Sequence, residues 1–270
     1  MTNTGKISTS AQIGLGFRTY GNAIGFIFNK GLWWFFIFPV ILNFLLFWGG
    51  FELKVWARDS LQQVLLDWTE LEGATFFLAG ALKSALEWVL TIAFSFIFFF
   101  IFAYFGGYII LIIMSPILAY LSEKTEKINT GKEYPFSAEQ LMRDIVRGIL
   151  IAIRNMLIET GYMLVFFILG LIPVIGLIFN IISPFVLFFI SSYFYGFSYM
   201  DYTNERKRLN VSQSVAYIRK YRGFAITNGG IFSLSLLIPF CGTLISPFIA
   251  IVSVVAATLG MNDMDKSNDN

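Results

Sequence analysis

The 270-residue chain contains no histidine, one cysteine and seven prolines, and only 13% of its residues are charged. Without histidine, the Ser-His-Asp and Cys-His nucleophile pairs, the HExxH metal helix and His-ligated zinc are unavailable in their usual form. The lone Cys241 excludes an intrachain disulfide. Soluble domains run near a quarter charged, so an ordinary water-soluble enzyme is improbable. Nineteen Lys and Arg against 17 Asp and Glu leave a net charge of +2, which argues against a nucleic-acid partner needing a strongly basic face. There is no nucleotide-binding P-loop, and no cofactor or metal ion is implied. What the chain does have is apolar surface: 57% of its residues are hydrophobic, with 31 phenylalanines.

Four charge-free stretches, residues 31–51, 88–122, 160–200 and 223–262, make up about half the chain. A helix needs about 20 apolar residues, at about 1.5 Å each, to cross about 30 Å of hydrocarbon. The first stretch predicts one span. The second predicts one long span, with Gly106, Gly107 and Pro116 as points to bend, that emerges into water through Tyr120 and Glu123. The third and fourth are each long enough for two helices, yet each carries a repeated breaker. These are Ile172-Pro173-Val174-Ile175-Gly176 with Ser183-Pro184, and Ile238-Pro239-Phe240-Cys241-Gly242 with Ser246-Pro247. Between breakers and flanking charges the arms reach about 20 to 26 Å, short of a crossing. The tips carry no charge, so the expectation is two re-entrant hairpins with tips at Pro173, Gly176, Pro184, Pro239, Gly242 and Pro247.

The fold class that follows is all-α integral membrane: two full transmembrane helices, two re-entrant helical hairpins and amphipathic surface helices. One membrane domain is expected to divide into an amphipathic N-terminal helix (1–30), span 1 (31–51), an external amphipathic segment (52–87) and span 2 (88–122). Cytoplasmic helices (123–159), hairpin 1 (160–200), a basic cytoplasmic segment (201–222), hairpin 2 (223–262) and a loose tail (263–270) complete it. Segment 52–87 holds three basic and six acidic residues, so the positive-inside rule places it outside and both termini in the cytoplasm. Four full crossings in place of the hairpins give the same sidedness. Ile13, Phe17, Tyr20, Ile24 and Phe28 line one side of a helix expected on the inner surface. A second amphipathic helix is expected after a capping box at Ser137 and Gln140, with Leu141, Ile145 and Ile149 opposite Arg143, Arg147 and Arg154. Gly21 and Gly25 have GxxxG spacing but lie outside the spans.

Several segments occur in a telling order: Asn29-Lys30-Gly31-Leu32-Trp33-Trp34-Phe35 running to Pro39 and Asn43, then Ser115-Pro116-Ile117-Leu118-Ala119-Tyr120-Leu121-Ser122-Glu123-Lys124. The Ile172 to Gly176 motif with Pro184 follows, then Asp201-Tyr202, Arg219, Arg222 and Phe224, and finally Pro239 and Pro247. In these the chain resembles the CysZ and etoposide-induced membrane protein family, whose bacterial members take up sulfate. The resemblance implies two full spans, two partly penetrating hairpins, homo-oligomeric assembly, and sulfate held near a Gly-Leu-Arg turn. The matching positions are Gly31-Leu32-Trp33, with an indole where the family carries arginine.

Two descriptions fit the turn at Lys30, Gly31 and Leu32. It is an oxyanion site, with Asn29 as cap, backbone N–H groups at a helix start and Lys30 as the cation; or it is an interfacial joint with an aromatic belt. Glu123, Glu126 and Lys127 share a helix face, and Arg143 with Arg147 could complete a polar network; the plainer reading is a solvated helix end. Arg206, Lys207, Arg208, Arg219, Lys220 and Arg222 form a basic inner face that either gathers anions and headgroups or only sets topology. The function these readings favour is an inner-membrane permease for a small oxyanion, sulfate by resemblance, with membrane lipids around it. The alternative is a lipid-handling or membrane-shaping protein without anion transport.

Overall fold

The computed structural model describes residues 7–68, 79–132, 137–238 and 241–269. Pro239, one expected hairpin tip, lies outside the described residues. Among the described residues every regular element is helical: α1 (Thr9–Asn29), a 3-10 turn (Trp33–Phe36), α2 (Ile37–Trp68), α3 (Ala79–Thr130), α4 (Ala138–Gly170), α5 (Ile175–Arg206), α6 (Val211–Lys220), α7 (Arg222–Leu236) and α8 (Gly242–Asp269). Six segments, two of them on α3, are long and apolar enough to cross a membrane. The chain is a multi-pass membrane protein.

Two compact units form, residues 40–106 and residues 1–39 with 107–270. In the first, Phe47, Trp48, Trp56 and Trp88 are all more than half exposed, as suits a lipid-facing surface. The second unit has a dense interior. Its centre is α8, where Ala250, Ile251, Val254, Val255, Ala256 and Ala257 are fully buried. Helix α1 lies against α7 and α8 through Gln12, Gly16, Thr19, Ala23 and Ile27, spaced at three or four residues. Ile13, Phe17, Ile24 and Phe28 remain exposed as the outward apolar row. Tyr20 departs from that row: it is buried and donates to the Asn228 carbonyl at 3.0 Å.

The helices run further than expected, because charge does not end them. Helix α4 starts at the Ser137 cap, whose hydroxyl accepts from Gln140 N at 3.3 Å, and passes Arg143, Arg147, Arg154 and Glu159 without a break. Helix α5 likewise continues through Asp201 and Glu205 to Arg206. Pro116, Pro184 and Pro247, expected as breakers or bends, all lie inside helices. Each forfeits one backbone bond, which packing offsets. The tail expected to be loose from 263 is helical to Asp269. Met264 is buried there, and Arg18 and Lys207 pair with Asp263 and Asp265.

The internal repeat survives as geometry. Between α4 and α5, Leu171 N donates to Ile168 O, Ile172 N to Leu169 O and Gly176 N to Ile172 O. Between α7 and α8, the same three bonds recur at Leu237, Ile238 and Gly242, onto Leu234, Ser235 and Ile238. Gly176 and Gly242 are required by contact: a Cβ would sit 2.2 Å from Gly170 O and 2.6 Å from Leu236 O respectively. The expected non-helical tip at 173–183 shrinks to a turn before Ile175, so Gly176 already belongs to α5.

Val174 closes that turn at φ 67 and ψ −57, with Ile175 N donating to Pro173 O at 2.8 Å. This is the strained γ-turn form, and a β-branched residue is its worst occupant. The side chain is 81% exposed, so little packing compensates. Val174→Gly is expected to stabilise the protein by about 1 to 2 kcal/mol. A melting temperature in detergent equal to or below wild type would refute the strain.

Candidate functional site

Apolar helices bring an unusual amount of polar chemistry inside. Arg206, at the end of α5, donates Nε to Glu126 Oε2 at 2.7 Å and Nη2 to Ser122 Oγ at 2.9 Å and Thr203 Oγ1 at 3.2 Å. The Arg206 and Glu126 side chains are only 4% and 3% exposed. Ser122 shares a 2.7 Å hydrogen bond with Thr258 Oγ1, so α3, α5 and α8 meet at one ion-paired knot. Charges this far from water persist only when paired and hydrogen-bonded.

A second knot joins α4, α5 and α6. Arg147 grips Asp201 with both edges of its fork, Nε to Oδ2 at 2.9 Å and Nη2 to Oδ1 at 3.0 Å. Its Nη1 donates to Leu209 O at 2.5 Å and pairs with Glu205. Ser214 donates to Asp201 Oδ1 and accepts from Asn204 Nδ2 at 2.8 Å. Asp201 therefore has a planar cation and a hydroxyl fixed around it, the geometry arginine supplies better than lysine.

Elsewhere Glu159 on α4 accepts from Tyr108 OH at 2.6 Å and from Ser191, tying α3, α4 and α5 by a carboxyl. Tyr202 donates to Ser115 Oγ at 3.2 Å, and Ser115 donates to Ile145 O at 3.2 Å. Ser115 thus bridges neighbouring helices rather than serving its own. Lys207 pairs with Asp265, which also accepts from Tyr217 OH at 3.1 Å. Burial, with Asp265 adding to it, pushes the Tyr217 phenol up.

Of the residues expected in a polar network, the structure pairs Glu126 and Arg147 with partners from outside that set. Glu126 takes Arg206, a residue expected on the basic inner face. Arg147 takes its acids from α5. Arg143 pairs with Glu139 one turn back, both largely exposed. Lys127 is exposed and Glu123 half-buried. Of the basic face, Arg206 and Lys207 are engaged inward, while Arg208, Arg219 and Arg222 are exposed. Asp201 entered the sequence reading only through the Asp201-Tyr202 segment, and Glu205 and Thr258 not at all; a further hint was Asp201 and Glu205 at i and i+4.

At the expected anion turn, the first span does not open at Gly31. Gly31, at φ +68, closes α1: its N–H reaches Phe28 O at 3.4 Å, Leu32 N reaches Ile27 O at 2.8 Å and Lys30 N reaches Phe26 O at 2.9 Å. This is a left-handed helix end, sealed by Leu32 against Ile27, both fully buried. Asn29 is the last helical residue rather than a cap, and the long helix starts at Ile37. Sequence reasoning also passed over Lys124, whose Nζ lies 5.5 Å from the Trp34 ring centre, 5.9 Å from Phe35 and 6.0 Å from Tyr120. Among the described residues, no cluster of acidic or cysteine side chains could hold a metal ion.

Long apolar helices around ion-paired interior knots define a polytopic membrane protein. Residues 19–247 match the family described as Sulfate transporter CysZ/Etoposide-induced protein 2.4, and the chain belongs to that family. It is similar to proteins named Sulfate transporter CysZ. That of Pseudomonas fluorescens Pf0-1 is 28% identical over 86% of this chain and 87% of its own length. That of Pseudomonas syringae pv. tomato is 30% identical over 86% of each. That of Pseudomonas fluorescens Pf-5 is 33% identical over 55% of this chain and 57% of its own.

Proposed function

We propose that this chain carries a small inorganic oxyanion, sulfate, across the inner membrane. The observation that carries the reading is the family match over residues 19–247, together with similar proteins named as sulfate transporters. The anion meets the turn after α1. Gly31 and Leu32 shape that turn and have their amides occupied, so Lys30 and Lys124 provide the charge that the family's arginine would give. The knots around Glu126, Arg147 and Arg206 are the ion-paired interior that a conducting route passes. Energy comes from an ion gradient or from consumption of the anion downstream.

The hairpins are read as re-entrant. Helix α7 has 15 residues, about 22 Å, and α4 runs only about 24 Å from Arg154 to its end at Gly170. Helix α7 and the part of α4 beyond Arg154 fall short of about 30 Å, whereas α4 as a whole, α5 and α8 are long enough to cross. Leu171, Val174 and Leu177 at the first tip are at least two-thirds exposed, which favours a lipid or protein environment over water. The basic segments lie in the cytoplasm with both termini, and the exposed apolar faces of α2, α4 and α5 suit lipid and further copies of the chain.

Trp33, 60% exposed at the family's arginine position, favours the lipid-handling reading. Reconstituted liposomes separate the two by labelled sulfate uptake and fluorescent-lipid exchange measured side by side. Wild type is expected to take up sulfate, and Lys124→Gln to lose about tenfold, the worth of one charge-assisted contact. Lipid exchange without sulfate flux would sink the transport reading.

A further inference from the structure

Two cavities, of about 450 and 460 Å³, share Arg143, Arg147 and Glu205 in their linings and so form one groove along α4 and the α5–α6 connection. The two ends differ in chemistry. One is polar, closed by Gln140, Arg208 and Asn210. The other is mostly apolar, lined by Met142, Val146, Leu150, Ile151 and Val211 beside Arg154.

Arg147 is committed to Asp201 and Glu205, and Arg154, in the other cavity, donates to Asn155 Oδ1 and lies over the Phe197 ring, so the charge at the polar end comes from Arg143 and Arg208. Arg143 donates Nη1 to Glu139 and Nη2 to Gln140 Oε1, both at 2.7 Å, and with the Arg143 and Glu139 side chains exposed that ion pair holds it weakly. Arg208 sits at φ 57, where Arg208 N donates to Glu205 O at 2.7 Å and Leu209 N to Asn204 O at 3.1 Å. This is the helix-ending position that glycine ordinarily fills, and an arginine there is strained. The chain keeps a cation at a place where backbone geometry favours no side chain.

Met142, Val146 and Leu150 are 60%, 47% and 59% exposed, and recur every fourth residue on α4. They make an apolar strip about 12 Å long that starts beside the guanidinium of Arg143. A free inorganic anion would use only the polar end. A ligand with a negative head and a hydrocarbon tail uses both. We infer that this groove binds an anionic phospholipid, its phosphate between Arg143 and Arg208 and an acyl chain along Met142, Val146 and Leu150. The inference goes beyond sulfate transport and does not require it.

The test uses the full chain in detergent, with native mass spectrometry comparing retained phosphatidylglycerol and phosphatidylcholine of identical acyl chains. Wild type is expected to retain the anionic lipid at least about tenfold better. Arg208→Gly, which relieves the backbone and should melt no lower than wild type, is expected to cut the preference severalfold, and Arg143→Gln with Arg208→Gly to abolish it. Val146→Glu is expected to reduce retention of the anionic lipid with both arginines in place. Equal retention of both lipids by wild type, an unchanged preference in the double variant, or displacement of the lipid by equimolar sulfate would each overturn the proposal, the last by making the groove a free-anion site.

Discussion

Arg206→Met alone is expected to cost the folded protein about 3 to 5 kcal/mol, because it removes the guanidinium paired with the Glu126 carboxylate, where the two side chains are only 4% and 3% exposed. The loss extends past one bond. Ser122 and Thr203 also lose the guanidinium they accept into, and Ser122 is the hinge to Thr258 on α8. Glu126→Gln is expected to hurt less, since an amide oxygen still accepts from Arg206. The double change Arg206→Met with Glu126→Leu should recover most of the stability, as paired removal of buried charges commonly does. Thermal unfolding in one detergent of wild type, Arg206→Met, Glu126→Leu and their combination measures the coupling. Additive effects of the two single substitutions would mean that the pair does not hold α3 to α5.

Gly229→Ala is the second large effect, although it adds one methyl group. The α5 and α7 backbones approach so closely that a Cβ on Gly229 would lie 2.0 Å from Ser192 O and 2.3 Å from Gly196 N. A Cβ on Gly196 would lie 1.9 Å from Ala225 O. Neither obstacle is a side chain that can rotate away, so the helices must part. Separation disturbs Phe232 and Tyr195, whose rings pack 4.9 Å apart across the same interface. A loss of about 3 kcal/mol or more is expected, at the upper end of what overpacking costs. Gly230→Ala is the control, since its nearest neighbour is Ser192 Oγ at an ordinary 3.6 Å. If the two variants melt alike, the close approach is not what holds α5 against α7.

Apolar run length, the capping pair at Ser137 and Gln140 and the repeated Ile-Pro motif each depend on residues near in sequence, and these made a helical membrane protein legible before any coordinates. The limits of the helices were not legible. Read singly, Asp201 looks like the end of an apolar stretch and Arg147 like the polar side of a surface helix, because the partner that neutralises each lies 54 positions away. A separation of 80 positions hid the Arg206 to Glu126 pair, so Arg206 read as one more surface cation. Glycines misled in a similar way. Gly21 and Gly25 carry the familiar spacing, yet a Cβ on either meets nothing within 4 Å. The tight crossing instead pairs Gly196 with Gly229, one from each helix, a relation no local pattern encodes.

The turn shared by the two hairpins sits in contrasting surroundings. After the first copy, Ile175, Leu177, Ile178 and Ile181 are exposed; after the second, α8 dives into the centre of its unit. Substitutions 66 positions apart, Gly176→Ala beside Gly242→Ala for instance, therefore test the same set of flanking backbone bonds twice. Any gap between their penalties reports the rigidity of the neighbours. The molecule carries its own matched reference for how much a close-packed interior, as against an exposed helix start, punishes similar crowding.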